Sequence, residues 1–129
     1  MRRRMVLGGL MAMAASTACA RGEDGPKVVS TVPADGDLDV DPALASFTVV
    51  FDRPMRRSWS FVTKGDGTMP EVGRPELVDE RTVVASMVLE PGRDYVVWLN
   101  SDRYQNFADK AGRPATPTRI AFRTRSKQA

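Results

Sequence analysis

The sequence is short of the residues on which much protein chemistry depends. It has no histidine and a single cysteine, Cys19, among 129 residues. No disulfide can therefore form within the chain, and the commonest general base and metal ligand is missing. Asp79 with Glu80, or Asp94 with Asp102, could in principle work as acid and base, but each is better placed in a turn or at a strand edge. We expect no catalytic residues and no enzymatic activity.

The chain also has no excess of positive or negative charge once the expected N-terminal segment is removed. Its formal net charge is +3, but Arg2, Arg3 and Arg4 lie in a segment that we expect to be cleaved. Removing these three from 19 basic residues leaves 16, against 16 acidic residues. This balance gives no reason to expect binding to nucleic acid or to an anionic membrane. Acids predominate in residues 21–52 and bases after residue 103, so we interpret the two groups as charges on the first and last strands that partly compensate each other.

Residues 1–20 have the three parts of a signal peptide: a basic head, an apolar stretch over Met5–Ala15, and small residues up to Ala20. An apolar stretch of about 11 residues is too short to span a bilayer as a mature helix. The signal peptide can be processed in two ways, of which one is cleavage after Ala20 by ordinary signal peptidase. The other is lipidation of Cys19, whose context resembles a bacterial lipobox and which is followed by a flexible tether over residues 21–26. We expect an extracytoplasmic protein, either anchored to the cell membrane by lipid or periplasmic or secreted.

Beyond the tether, apolar and polar residues alternate over short segments bounded by turn residues, which predicts strands. No segment after the signal peptide has a helical apolar period over ten or more residues. The predicted domain covers residues 27–125 and leaves a tail over residues 126–129. The predicted strands are Lys27–Val32, Ala45–Phe51, Trp59–Val62, Glu76–Asp79, Thr82–Leu89, Tyr95–Asn100 and Thr118–Thr124.

The connection between the fifth and sixth predicted strands indicates the architecture. Leu89 ends one strand, Pro91 and Gly92 turn the chain, and Tyr95 opens the next strand, which is the arrangement of a tyrosine corner. The ring of Tyr95 is then buried while its hydroxyl reaches back to a carbonyl of the turn. The sequence therefore predicts an all-β, immunoglobulin-like sandwich of about seven strands in two antiparallel sheets.

Four acids suggest a cation site. Asp35, Asp37, Asp39 and Asp41 alternate with other residues, so an extended segment would place all four on one side. Calcium binds several carboxylate oxygens, although the spacing lacks the glycine and the late glutamate of an EF-hand loop. The same acids would also suit a solvated turn. We expect no cofactor unless these acids bind calcium.

Aromatic residues suggest a binding face. Alternation along the sixth strand directs Trp98 outward, where it is either covered by a loop or free to hold a ligand or partner. The long segment Ser101–Pro117, with Tyr104 and Phe107 as anchors, is expected to cover it. If Trp98 is free, Trp98, Trp59 and Tyr104 are the candidates for a ligand or partner face.

Five segments in order resemble the bacterial Ig-like domain found in the surface-layer protein SbsA and in many envelope proteins. The resemblance runs from about Lys27 to Arg125. It implies a sandwich module used as a spacer, accessory or adhesive unit, without catalytic residues. The segments are Val28–Gly36, Phe47–Met55, Leu89–Tyr95, Phe107–Pro114 and Phe122–Thr124.

We therefore expect a non-catalytic module of the cell envelope that acts as an accessory, adhesive or protein-interaction domain. We expect a monomer whose partner is an envelope protein or a glycan, and which touches the membrane only through a lipid anchor. The alternative is a carbohydrate- or peptidoglycan-binding module that uses exposed aromatic rings.

A periplasmic copper-binding, CopC-like protein is a further alternative, because residues 33–36 resemble the opening signature of that fold. The copper sites of that family rely on histidine, which this chain lacks. Met55, Met69 and Met87 are soft ligands that suit cuprous ion, but they are better placed in the core or in loops.

Overall fold

The computed structural model describes residues 24–126, in which every regular element is a β-strand. The predicted signal peptide with Cys19, half of the predicted tether (residues 21–23) and most of the predicted tail (residues 127–129) lie outside the described residues. Within the described part, no helix is long and apolar enough to cross a membrane. The strands are β1 Val28–Val32, β2 Ser46–Phe51, β3 Phe61–Val62, β4 Glu71–Asp79, β5 Thr82–Val88, β6 Asp94–Leu99 and β7 Thr118–Arg123.

The seven strands form two sheets. One has the order β1-β2-β5-β4 and the other the order β3-β6-β7, and all paired strands are antiparallel. This is the strand arrangement of a constant-type immunoglobulin domain, which has four strands in one sheet and three in the other. The predicted fold class is confirmed.

The core lies between the sheets and follows the predicted alternation. Phe47, Val49 and Phe51 of β2 are each at most 1% exposed, because successive strand residues point to opposite faces. The loop residue Phe107 completes the core. Its ring centroid lies 5.4 Å from that of Phe51 and 5.1 Å from that of Phe61. A fully buried phenylalanine contributes about 1.5–3 kcal/mol, so this loop residue adds as much as a strand residue.

Two strands differ from the prediction by more than one residue at an end. β4 begins at Glu71 rather than Glu76, because a register shift between Val72 and Pro75 accommodates Gly73 and Pro75 within the strand. Proline is tolerated there since β4 is an edge strand. β3 contains only Phe61 and Val62 rather than Trp59–Val62. The N–H of Asn100 still donates to the carbonyl of Ser60, but Asn100, with φ of 68°, turns the partner strand away and the pairing ends there.

The acidic connection between β1 and β2 runs along the outer edge of β7. The N–H of Gly36 donates to the carbonyl of Ala121 at 2.7 Å, and the N–H of Arg123 donates to the carbonyl of Asp37 at 2.9 Å. Asp39 forms an ion pair with Arg125 at 3.2 Å. The early acids therefore do meet the late bases, but the contacts come from the connection rather than from β1.

Candidate functional site

The outer face of the β3-β6-β7 sheet is partly covered by its own loop. After β3 the chain leaves the sheet, and it returns at Thr68, whose carbonyl accepts a hydrogen bond from the N–H of Val96 at 2.8 Å. Residues 63–68, which we call the 63–68 loop, lie over this face between those points. A Cβ on Gly67 would lie 2.6 Å from Val96 Cγ2. The glycine thus allows the close approach that leaves Val96 7% exposed.

Trp98 is covered by the 63–68 loop, so the prediction that Ser101–Pro117 covers it was wrong. Its Nε1 donates to Asp66 Oδ2 at 3.2 Å. The ammonium of Lys64 lies 3.9 Å from the centroid of the ring, within the range of a cation–π interaction. Both the polar edge and one face of the indole are therefore engaged by the loop.

Segment 101–117 is held at the end of the sandwich instead. Asn100 adopts a φ of 68°, which turns the chain directly after β6. Its side-chain amide donates to the carbonyls of Phe107 and Ala115, each at 2.9 Å, and its side-chain oxygen accepts from the N–H of Phe107 at 2.9 Å. Phe107 is the buried anchor that was predicted, whereas Tyr104 is 50% exposed and anchors nothing.

Asp66 joins two neighbouring strands. Arg119 of β7 lies directly opposite Trp98 of β6 in the register, and Arg119 Nε donates to Asp66 Oδ2 at 3.0 Å. The hydrogen bonds from Arg119 and from Trp98 hold the pKa of Asp66 below its ordinary value, against a smaller opposing effect of desolvation. The carboxylate is therefore ionised at neutral pH and is bound by donors from both strands.

A groove of about 440 Å³ adjoins the carboxylate of Asp66. Its lining includes the side chains of Leu38 and Ala121 and the charged side chains of Asp66 and Arg119. Leu38 is 72% exposed. A concave surface with exposed apolar area and a few convergent polar groups is the usual form of a binding site, so this face is the candidate functional site.

The three predicted aromatic residues are not brought together on one surface. Trp98 lies on the candidate face. Trp59 is half-buried and packs against the core. Tyr104 lies in segment 101–117 with the guanidinium of Arg103 5.8 Å from its ring. Sequence reasoning missed Asp66, Arg119 and Leu38, although the run Lys64–Gly67 is evident as a loop.

The four acids of the predicted calcium site do not converge. Each carboxylate has its own partner. Asp35 accepts a hydrogen bond from the N–H of Ala121, and Asp39 forms an ion pair with Arg125. Asp37 and Asp41 accept hydrogen bonds from the N–H groups of Asp39 and Ala43. Among residues 24–126, no group of three or more acidic, histidine or cysteine side chains could hold a metal ion. The expectation that alternation places the four acids together was wrong, because Gly36 with φ of 88° interrupts the extended backbone.

The three methionines considered for copper are core residues. Met55 and Met87 are 1% and 3% exposed, and Met69 packs against the same core cluster. Their side chains fill space between the sheets.

The two acidic pairs that were weighed as acid and base, and set aside as turn or strand-edge residues, lie apart or in a turn. Asp94 opens β6 and Asp102 follows its end, about 20 Å away for a strand of this length. Asp94 forms an ion pair with Arg123 at 3.0 Å. Asp79 accepts a hydrogen bond from the N–H of Arg81 at 2.9 Å in the turn between β4 and β5.

The residues of the tyrosine corner occupy their expected places. Leu89 and Tyr95 are 8% and 4% exposed, and Gly92, next to Pro91, has φ of 62°. The hydroxyl of Tyr95 accepts a hydrogen bond from the N–H of Glu90 at 2.8 Å, rather than bonding to a carbonyl as predicted. The carbonyl of the same residue, Glu90, accepts a hydrogen bond at 2.6 Å from the hydroxyl of Thr124, which was missed in the sequence.

A family model for the bacterial Ig-like domain matches residues 22–124 of the chain, which include all seven strands. No curated protein matches the chain.

Proposed function

Because the chain belongs to the bacterial Ig-like domain family, we propose that it is a module of the cell envelope that acts as an accessory, adhesive or protein-interaction domain. Domains of this family are generally non-catalytic, and they typically occur in extracellular or surface proteins of bacteria. We further propose that residues 1–20 direct export and that Cys19 carries a lipid anchor. The three-part N-terminal segment and the small residues around Cys19 support this part of the proposal.

The proposed interaction face is the outer face of the β3-β6-β7 sheet, and the proposed partner is an envelope protein bound by a monomer. The observation that carries this choice is the groove beside Asp66, in which Leu38 is 72% exposed. An exposed apolar side chain beside charged groups suits protein contacts, since interface cores are apolar and their rims polar.

Site-specific photo-crosslinking in the native host tests the face. A photoreactive residue replaces Leu38 in one full-length variant and Val88 in a matched control. Val88 is 61% exposed and belongs to the other sheet. We expect adducts with one defined envelope protein from position 38 and none from position 88. Equal labelling at both positions, or no adduct at position 38, would contradict the proposal.

Membrane fractionation tests the anchor. We expect the wild-type chain in the membrane fraction and the Cys19→Ala variant in the soluble extracytoplasmic fraction. A wild-type chain that is already soluble would remove the lipid anchor from the proposal and leave the interaction face untouched.

A further inference from the structure

The carboxylate of Asp66 is surrounded by donors that belong to other elements. Arg119 Nε and Trp98 Nε1 lie 3.0 and 3.2 Å from its Oδ2, and the Lys64 ammonium lies over the same indole ring. One cation and one indole N–H therefore converge on a single acid, and a second cation lies over the indole.

The donors and the acceptor differ in how they are held. Trp98 and Arg119 face each other on paired strands, so the sheet fixes their relative position. Asp66 lies in the 63–68 loop between Gly65, with φ of 80°, and Gly67. A rigid pair of donors is preorganised for a carboxylate whatever chain supplies it, and hydrogen bonds between ionised groups are the stronger kind.

We infer that Trp98 and Arg119 form a carboxylate-binding site, which Asp66 occupies in the free protein. The partner is an acidic peptide segment, one of whose aspartate or glutamate side chains takes the place of Asp66. This inference rests on the proposed function, since it names the chemistry of the partner at the same face.

The charges and the groove favour a peptide that carries an apolar residue next to its acid. When Asp66 leaves, Arg119 loses its ion-pair partner and is left as an uncompensated cation in the lining of the groove. The exposed Leu38 and the Ala121 methyl then offer apolar contact to the neighbouring residue of the peptide.

The same geometry disfavours a glycan. A sugar ring stacks on an exposed aromatic face, whereas Lys64 lies over the ring of Trp98. The aromatic residues that line the groove, Tyr95 and Phe122, are only 4% and 3% exposed. A ligand at this face therefore binds the indole N–H of Trp98 rather than stacking on its ring.

Asp66 competes with the partner for the donors. Exposed ion pairs are weak, so removing this competitor raises affinity by only about three- to fivefold. Asp66→Asn removes the charge and keeps the shape of the side chain, which makes it the informative variant.

The test is a titration of the full processed chain followed by the indole N–H resonances, with Trp59→Phe used to assign that of Trp98. The probe is a capped Leu-Glu-Leu-Asp peptide, and the control probe is capped Leu-Gln-Leu-Asn. We expect the acidic peptide to shift the Trp98 resonance and the amide peptide to leave it unchanged. Asp66→Asn should bind the acidic peptide about three- to fivefold more tightly.

Two further variants separate this site from general charge attraction. Arg119→Gln should lower affinity for the acidic peptide about tenfold, since a charged hydrogen bond is lost. Arg93→Gln is the matched control, because Arg93 is an exposed arginine that is paired with Glu90, and neither residue lines the groove; it should leave the affinity unchanged. Equal effects of both variants would overturn the inference, as would an Asp66→Asn variant that folds normally and binds no more tightly.

Preferential binding of an oligogalacturonate over the peptide would overturn the assignment of a peptide partner. If crosslinking from position 38 captures an envelope protein while the acidic peptide does not bind, the inference fails and the proposed function stands. If both experiments fail, the face itself has been assigned wrongly.

Discussion

Replacing Tyr95 by phenylalanine removes one oxygen from the corner between β5 and β6. The lost contact is the hydrogen bond that the Tyr95 hydroxyl accepts from the N–H of Glu90 at 2.8 Å. The ring remains, as does its stacking on Phe122 at 5.5 Å between centroids. The substitution therefore isolates the contribution of the hydroxyl.

The expected loss is about 1 kcal/mol, because a neutral hydrogen bond contributes about 0.5–1.5 kcal/mol net and water can reach the partly buried Glu90 N–H. Thr124→Val should cost more, about 2–3 kcal/mol. Thr124 is 1% exposed, and its hydroxyl donates to the Glu90 carbonyl and accepts from the N–H of Arg93 at 2.9 Å. In a domain of about 100 residues, 1 kcal/mol lowers Tm by about 4–8 °C.

Urea unfolding followed by tryptophan fluorescence measures both variants and their double mutant. Since Tyr95 and Thr124 bind the two polar groups of the same residue, Glu90, we expect coupling of about 0.5 kcal/mol or more between them. Tyr104→Phe is the matched control, because that side chain is 50% exposed, and it should change stability by less than about 0.5 kcal/mol. If Tyr95→Phe destabilises no more than this control, the hydroxyl does not stabilise the corner.

Two further substitutions test the loop end of the sandwich. Asn100→Ala should destabilise by about 3 kcal/mol, since it leaves two buried backbone groups, the N–H of Phe107 and the carbonyl of Ala115, without partners. Urea unfolding measures this loss, and slow hydrogen exchange retained at the Phe107 N–H would contradict it. Burial raises the pKa of Asp109, but hydrogen bonds and charge from Arg113 and Arg53 outweigh it and hold this pKa below its ordinary value. The folded pKa is thus below the unfolded one, so the stabilisation is present above about pH 4 and is lost as pH falls through the folded value. Asp109→Asn should flatten the fall in urea midpoint below about pH 4, and an unchanged slope would refute this role.

Local sequence patterns were sufficient to predict the sandwich, because its core depends mainly on the alternation of apolar and polar residues within strands. The side chains of Phe47, Val49 and Phe51 point inward because alternation along β2 sets the face of each side chain. The corner at Tyr95 is likewise encoded within seven consecutive residues, Leu89 to Tyr95. Only the hydrogen-bond partner of the Tyr95 hydroxyl was wrong, since it is the N–H of Glu90 rather than a carbonyl.

The candidate site could not be predicted in the same way. Both the 63–68 loop and segment 101–117 were long enough to cover Trp98. The alternation of apolar and polar residues along the strands does not indicate which of the two covers it. The choice depends on contacts between distant residues: Asn100 binds Phe107 at the end of the sandwich, while Asp66 reaches Arg119 across 53 positions of sequence. Such contacts leave no periodic signal.

The acidic connection shows why a predicted ion site can instead serve the fold and, through it, the binding face. An exposed strand edge offers unpaired N–H and C=O groups to other chains, and the segment from Asp35 to Val40 provides partners for these groups along part of β7. These contacts hold Asp37 in place through the N–H of Arg123, and Asp39 through its ion pair with Arg125. Leu38 lies between these two fixed residues and is thereby held out at the groove. The carboxylates that seemed to suggest a cation therefore position the apolar side chain on which the proposed interaction depends.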